Sequence, residues 1–149
     1  MLRGSLFSTV ILFCFSPLLS QRLTPSDHEQ KLKQLSDSGK VQYLIENNYA
    51  LYSADYDHAL RLMNEGRDIS KSHAWKEQEA YLNTFIGVTL YLKGNYQEAL
   101  PAFLEAYAIF DSLKNYDGLA RLCNELGVFH RRNTDATTAM EYLKKAEQF

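Results

Sequence analysis

The chain has 149 residues, 46% of them hydrophobic and 23% charged, a composition that fits one ordinary folded unit and excludes a disordered tail. Only seven glycines and three prolines leave too few turn signals for an all-β chain, so helices are expected. The formal net charge is -2, or -3 without residues 1–20 and their single charged side chain, Arg3. Both signs are interspersed, which argues against a nucleic-acid target, because duplex binding needs clustered Lys and Arg.

Residues 1–20 read as a secretory signal. Arg3 gives a short basic start, and Leu6 to Leu19 form an apolar core shorter than the roughly 20 residues that span a bilayer. The core ends in Pro17, Leu18, Leu19 and Ser20 before polar Gln21. Cleavage between Ser20 and Gln21 is expected, giving a periplasmic or secreted protein. Leu18 is bulkier than the small residue preferred there, so an uncleaved membrane anchor stands as the alternative. Cys14 falls inside the signal, which leaves Cys123 alone in the mature chain and no internal disulfide. Flanked by Leu122 and Leu126, Cys123 is expected to be a small core residue.

Residues 21–38 form a polar lead-in, with a short helix expected from Thr24-Pro25. From Gly39 onward the chain repeats every 40 residues. That offset aligns Ala59 with Ala99 and Ala139, Leu60 with Leu100 and Met140, Asp55 with Asn95 and Asp135, and Gly66 with Ala106 and Ala146. It also aligns Ala80 with Ala120, Leu82 with Leu122, Gly87 with Gly127 and Val88 with Val128. A fixed period marks a repeat architecture. Units are expected at 39–74, 75–114 and 115–149, each a pair of antiparallel helices beginning near Gly39, Trp75 and Asn115, with the last unit unfinished.

In the central unit Leu82, Phe85, Ile86 and Leu90 recur at helical spacing until Gly94-Asn95 interrupts. Asn95 with Glu98 three residues on has capping-box spacing. Tyr96, Ala99, Leu100, Phe103, Ala106, Tyr107 and Phe110 then mark one apolar face, which neighbouring hairpins must cover. The small residues Ala59, Gly87, Ala99, Ala106, Gly127 and Ala139 are expected where helix backbones approach most closely. Pro101 falls within about two turns of a helix start, and a slight bend is expected there.

Gly87, Gly94, Tyr96, Ala99, Phe103 and Ala106 resemble the tetratricopeptide signature of small, small, aromatic, alanine, aromatic and alanine. The next unit repeats it more weakly as Gly127, Thr134, Ala136, Ala139, Leu143 and Ala146, and the preceding one as Asn47, Ala54, Tyr56, Ala59, Met63 and Gly66. The resemblance covers Gly39 to Phe149. It departs from the family's usual period of about 34, with the extra residues expected around Asp111 to Asp117. Longer periods of this kind look like the tetratricopeptide regions of bacterial signalling proteins.

The resemblance implies an all-α, right-handed solenoid of about three stacked helix pairs, with the first helix of each pair lining a concave face. Mapped from Asn47, Gly87 and Gly127, that face holds Leu44, Asn48 and Leu51, then Tyr81, Thr84, Val88 and Tyr91, then Arg121, Asn124, Val128, Arg131 and Arg132. Of these, Asn48, Tyr81, Tyr91, Arg121, Asn124, Arg131 and Arg132 are the expected peptide-binding residues. They suit an extended peptide with acidic or C-terminal carboxylate groups. For Arg131 and Arg132, solvation of a helix end is an equal reading. The family's clamp for chaperone tails does not fit, because Leu44 and Thr84 stand where polar clamp residues belong.

No catalytic constellation is found in the sequence. His28, His58, His73 and His130 lie far apart without a metal-like companion, and each is expected at the surface. No phosphate loop or nucleophile motif occurs, and Glu77 and Glu79, two apart on a helix, point in different directions. The expected function is therefore a non-catalytic exported scaffold or adaptor that binds another protein or peptide, with no cofactor and no metal. One alternative is the extracytoplasmic input region of a tetratricopeptide-containing membrane sensor, such as a two-component histidine kinase whose catalysis lies outside this chain. Another is self-association through exposed repeat ends.

Overall fold

The computed structural model describes residues 23–133 and 135–149. The expected signal, its Ser20-Gln21 cleavage point, Cys14 and Thr134 lie outside the described residues. Those residues form eight α-helices and no strand, an all-α architecture.

α1 (Pro25–Leu32) opens on Thr24 in a capping box: the Thr24 N–H donates to Asp27 Oδ2 at 2.8 Å, and the Asp27 N–H donates to Thr24 Oγ1 at 3.3 Å. α2 (Asp37–Glu46) and α3 (Asn48–Ala54) are separated by Asn47 alone. The longer helices α4 (Tyr56–Ser72), α5 (Lys76–Lys93), α6 (Tyr96–Leu113), α7 (Tyr116–Arg132) and α8 (Ala136–Gln148) follow. Tyr56, Tyr96 and Ala136 open α4, α6 and α8, and Lys76 and Tyr116 open α5 and α7, so both series of starts are spaced by forty residues.

The turns share one backbone solution. Ala74, Gly94 and Lys114 are left-handed, with φ of 56°, 96° and 53°. After each, the next N–H reaches back five residues: Trp75 to the Ser70 carbonyl, Asn95 to Leu90 and Asn115 to Phe110, at 2.9 Å each. This main-chain closure satisfies carbonyls that the helix end would leave unpaired. It replaces the expected capping box at Asn95, whose side chain makes no capping bond. The residues expected to lengthen a loop around Asp111 to Asp117 are instead helical on both sides, leaving only Lys114 and Asn115 between α6 and α7. Pro101 lies exposed within α6, which continues through it.

α5 is the centre of the molecule. It packs against α2, α4, α6 and α7, and every residue from Leu82 to Tyr91 is buried, as a helix enclosed on all sides must be. Its polar side chains turn inward on their own helix: the Thr84 hydroxyl donates to the Ala80 carbonyl at 2.9 Å, and Thr89 to Phe85 at 2.7 Å. Such bonds remove the penalty of burying a hydroxyl alone.

Small residues sit at the close approaches. Ala59, Ala99, Ala106 and Ala139 are buried. A Cβ on Gly87 would stand 2.7 Å from the Phe103 ring, and one on Gly127 would stand 2.7 Å from Leu143 Cδ2. These two contacts are the same pair of positions displaced by forty residues.

The histidines correct the surface expectation. His28 is fully buried, with Nδ1 2.7 Å from the Tyr43 hydroxyl, and burial holds its imidazole below the usual pKa. His58 and His130 are mostly buried, with Nδ1 3.7 Å from Glu29 and 3.5 Å from Asp135 respectively. His73 is exposed and stacks on Trp75 with ring centroids 4.4 Å apart. Cys123 is a buried free thiol whose pKa burial pushes up.

Candidate functional site

The site begins with the break at Asn47. The Asn47 backbone N–H and side-chain amide both donate to the Tyr43 carbonyl, at 3.0 and 2.8 Å. Its backbone then leaves helical geometry at φ -104° and ψ 13°. α3 restarts from there with the sequence NYALYSA, which contains no charged residue.

Between α3, α5 and α7 lies a hollow of about 380 Å³. α3 supplies Asn48, Tyr49 and Tyr52 to its wall, and Tyr56 adds the first residue of α4. α5 supplies Phe85, Val88 and Tyr91, and α7 supplies Arg121 and Glu125. Tyr49 is 71% exposed and meets Tyr52 edge to face at 5.4 Å. The Arg121 guanidinium lies over the Phe85 ring at 5.9 Å, and Arg132 lies over Tyr91 at 5.5 Å, both within cation–π range. Burial raises the pKa of the Tyr52 and Tyr91 hydroxyls. It also pushes the Glu125 carboxyl up, against the opposing charge of Arg121.

Among the residues expected to bind peptide, Asn48, Tyr91 and Arg121 meet in this hollow, with Val88 beside them. Arg132 joins at the edge through Tyr91. Arg131 is exposed, and its charge reaches Tyr91. Tyr81 and Asn124 do not join the wall: Tyr81 packs edge to face on Phe110 at 5.0 Å, and Asn124 is exposed. Leu44, Leu51 and Thr84 are core residues, exposed by 2% or less.

Sequence reasoning missed Tyr49, Tyr52, Tyr56 and Glu125. The readable signal was the spacing of the three tyrosines just after Asn47-Asn48, a dipeptide of poor helix formers. Glu125 carried a signal too, as an acid within the apolar periodicity of α7.

A second hollow of about 410 Å³ lies between α1, α2 and α4, floored by Leu32, Leu44, Leu62 and Ile69. At its rim Arg61 pairs with Glu29 and, at 2.9 Å, with Glu65. Its charges thus largely satisfy one another.

Comparison with protein-family models, with curated proteins and with solved structures returned no match. Among the described residues no group of three His, Cys, Asp or Glu side chains is placed to hold a metal ion. None of the described helices is long and apolar enough to cross a membrane.

Proposed function

We propose that this chain is an exported tetratricopeptide-like module, a right-handed solenoid of about three helix pairs, which binds an extended segment of another protein and performs no catalysis. Support for the repeat reading comes from the forty-residue spacing of helix starts and from the matched contacts Gly87 on Phe103 and Gly127 on Leu143. The observation that carries the binding reading is the hollow between α3, α5 and α7. It presents the exposed rings of Tyr49 and Tyr56 beside Arg121, which forms no ion pair with a carboxylate among the described residues. Aromatic faces with a few directed polar groups are what peptide grooves use for affinity and orientation. Export rests on residues 1–20 alone.

The test is a pulldown from the periplasmic or secreted fraction, with the protein and its Tyr49→Ala/Arg121→Ala variant as baits. Both side chains reach solvent, so the variant is expected to keep its helical circular dichroism and thermal midpoint while losing its partner. A partner retained by the folded variant would remove the hollow from the binding surface.

A further inference from the structure

A carboxylate drawn partly out of water ordinarily finds a hydrogen-bond donor. Glu125 lines the hollow half-buried, yet no N–H or O–H of another described residue bonds to it and no cation pairs with it within 4 Å. Arg121, one turn earlier on α7, is committed to the face of Phe85, and Arg132 to the face of Tyr91. Burial outweighs the Arg121 charge in setting the Glu125 carboxyl.

The opposite wall is α3, which has no charge and presents the rings of Tyr49 and Tyr52. Neither of these rings has a cation over its face among the described residues. Lys93, two residues beyond Tyr91 at the end of α5, is taken up by Asp57. The Glu125 carboxylate, with the Arg121 charge turned onto Phe85 beside it, therefore shares the cavity with the electron-rich rings of α3. That combination recognises ammonium and guanidinium groups. The volume of about 380 Å³ lies near the lower end for ligand pockets, enough for one long side chain.

Resting on the peptide-binding reading above, we propose that the hollow receives a lysine or arginine side chain of the bound segment, its cation seated between Glu125 and the rings of Tyr49 and Tyr52. Arg131, exposed at the C-terminal end of α7, then meets an acidic group farther along the same segment. The ligand is thereby a mixed-charge segment entered basic residue first, not a purely acidic tail.

The experiment is an NMR titration of the ¹⁵N-labelled protein at constant ionic strength, with Nα-acetyl-lysine methylamide and separately with Nα-acetyl-glutamate methylamide as probes. The lysine probe is expected to move the Tyr49, Tyr52 and Glu125 amides saturably. Its Kd should rise about tenfold or more in Glu125→Gln, which keeps the side-chain shape. In Arg121→Ala it should stay the same or fall. Lysine-probe binding unchanged in Glu125→Gln would overturn the proposal. So would a glutamate probe that moves these amides when lysine does not, an outcome that leaves the peptide-binding reading standing. If neither probe moves them, both readings of the hollow fail.

Discussion

α4 and α6 start forty residues apart, and the helices that precede them differ at one pair of positions with the same offset, Asn47 and Gly87. In α5, Gly87 lets the Phe103 ring lie where a Cβ would collide at 2.7 Å, and the helix runs unbroken for 18 residues. Ahead of α4, the place forty residues earlier holds Asn47, and the helix is cut there into pieces of 10 and 7 residues. Glycine is itself a poor helix former, yet α5 runs through Gly87 without a break, and the absent side chain there is what leaves room for Phe103. The difference also teaches where the hollow lies. After the interruption, Tyr49 and Tyr52 of α3 line the hollow together with Arg121 and Glu125 of α7.

The largest effect is expected when α5 is given the residue that stands forty positions earlier, Asn47. Gly87→Asn is expected to destabilise the protein by roughly 3–5 kcal/mol, combining overpacking against a rigid ring with a buried amide, read from the urea midpoint. The same change at Gly127 meets Leu143 Cδ2 and Cγ at 2.7 and 2.8 Å and the Ala139 carbonyl oxygen at 3.4 Å, but Leu143 is only half-buried and has more room to shift than the Phe103 ring. It should therefore cost less, about 1–3 kcal/mol; equal losses at the two sites would show that the ring contact is not what matters. Phe103→Ala approaches from the other partner. Phe103 is fully buried and meets Phe129 edge to face at 5.7 Å, so its loss is expected to cost about 3–5 kcal/mol in the same measurement.

The mildest test compares two turns. Gly94 and Lys114 adopt the same left-handed geometry, but only glycine does so without strain. Lys114→Gly should stabilise the protein by about 0.5–1 kcal/mol, read as a raised thermal midpoint; a lowered midpoint would mean that the lysine side chain holds the turn together.

Helix starts were legible because they depend on neighbours in sequence. Thr24, Asp55 and Asn115 each cap a helix through a side-chain bond to the N–H three residues on, and the alternation of small and large residues around Gly87 was visible as a pattern. The capping box at Asn95 failed locally, replaced by main-chain closure, and the other failures depended on neighbours in space. His28 looked like a surface residue because nothing local announces that α1 docks its ring against Tyr43 of α2. Leu44, Leu51 and Thr84 fall on the concave face when the family's groove positions are mapped from Asn47 and Gly87, but all three are core residues, because that mapping carries no information on which neighbouring helix covers them. Glu125 went unnoticed because a carboxylate in an apolar helix reads as a solvated position until the facing wall is known to be uncharged.

The Cys123 sulfur has no exposure and lies near enough to Tyr107 of α6 and Tyr142 of α8 for their titrations to sense it. A thiol reagent therefore meets it only in the moments when these helices separate. Burial also makes the thiolate scarce while they stay closed. With Cys14 replaced by Ser, the rate of alkylation becomes a clock for the opening of this end of the molecule, set by the protein's own breathing and independent of any partner.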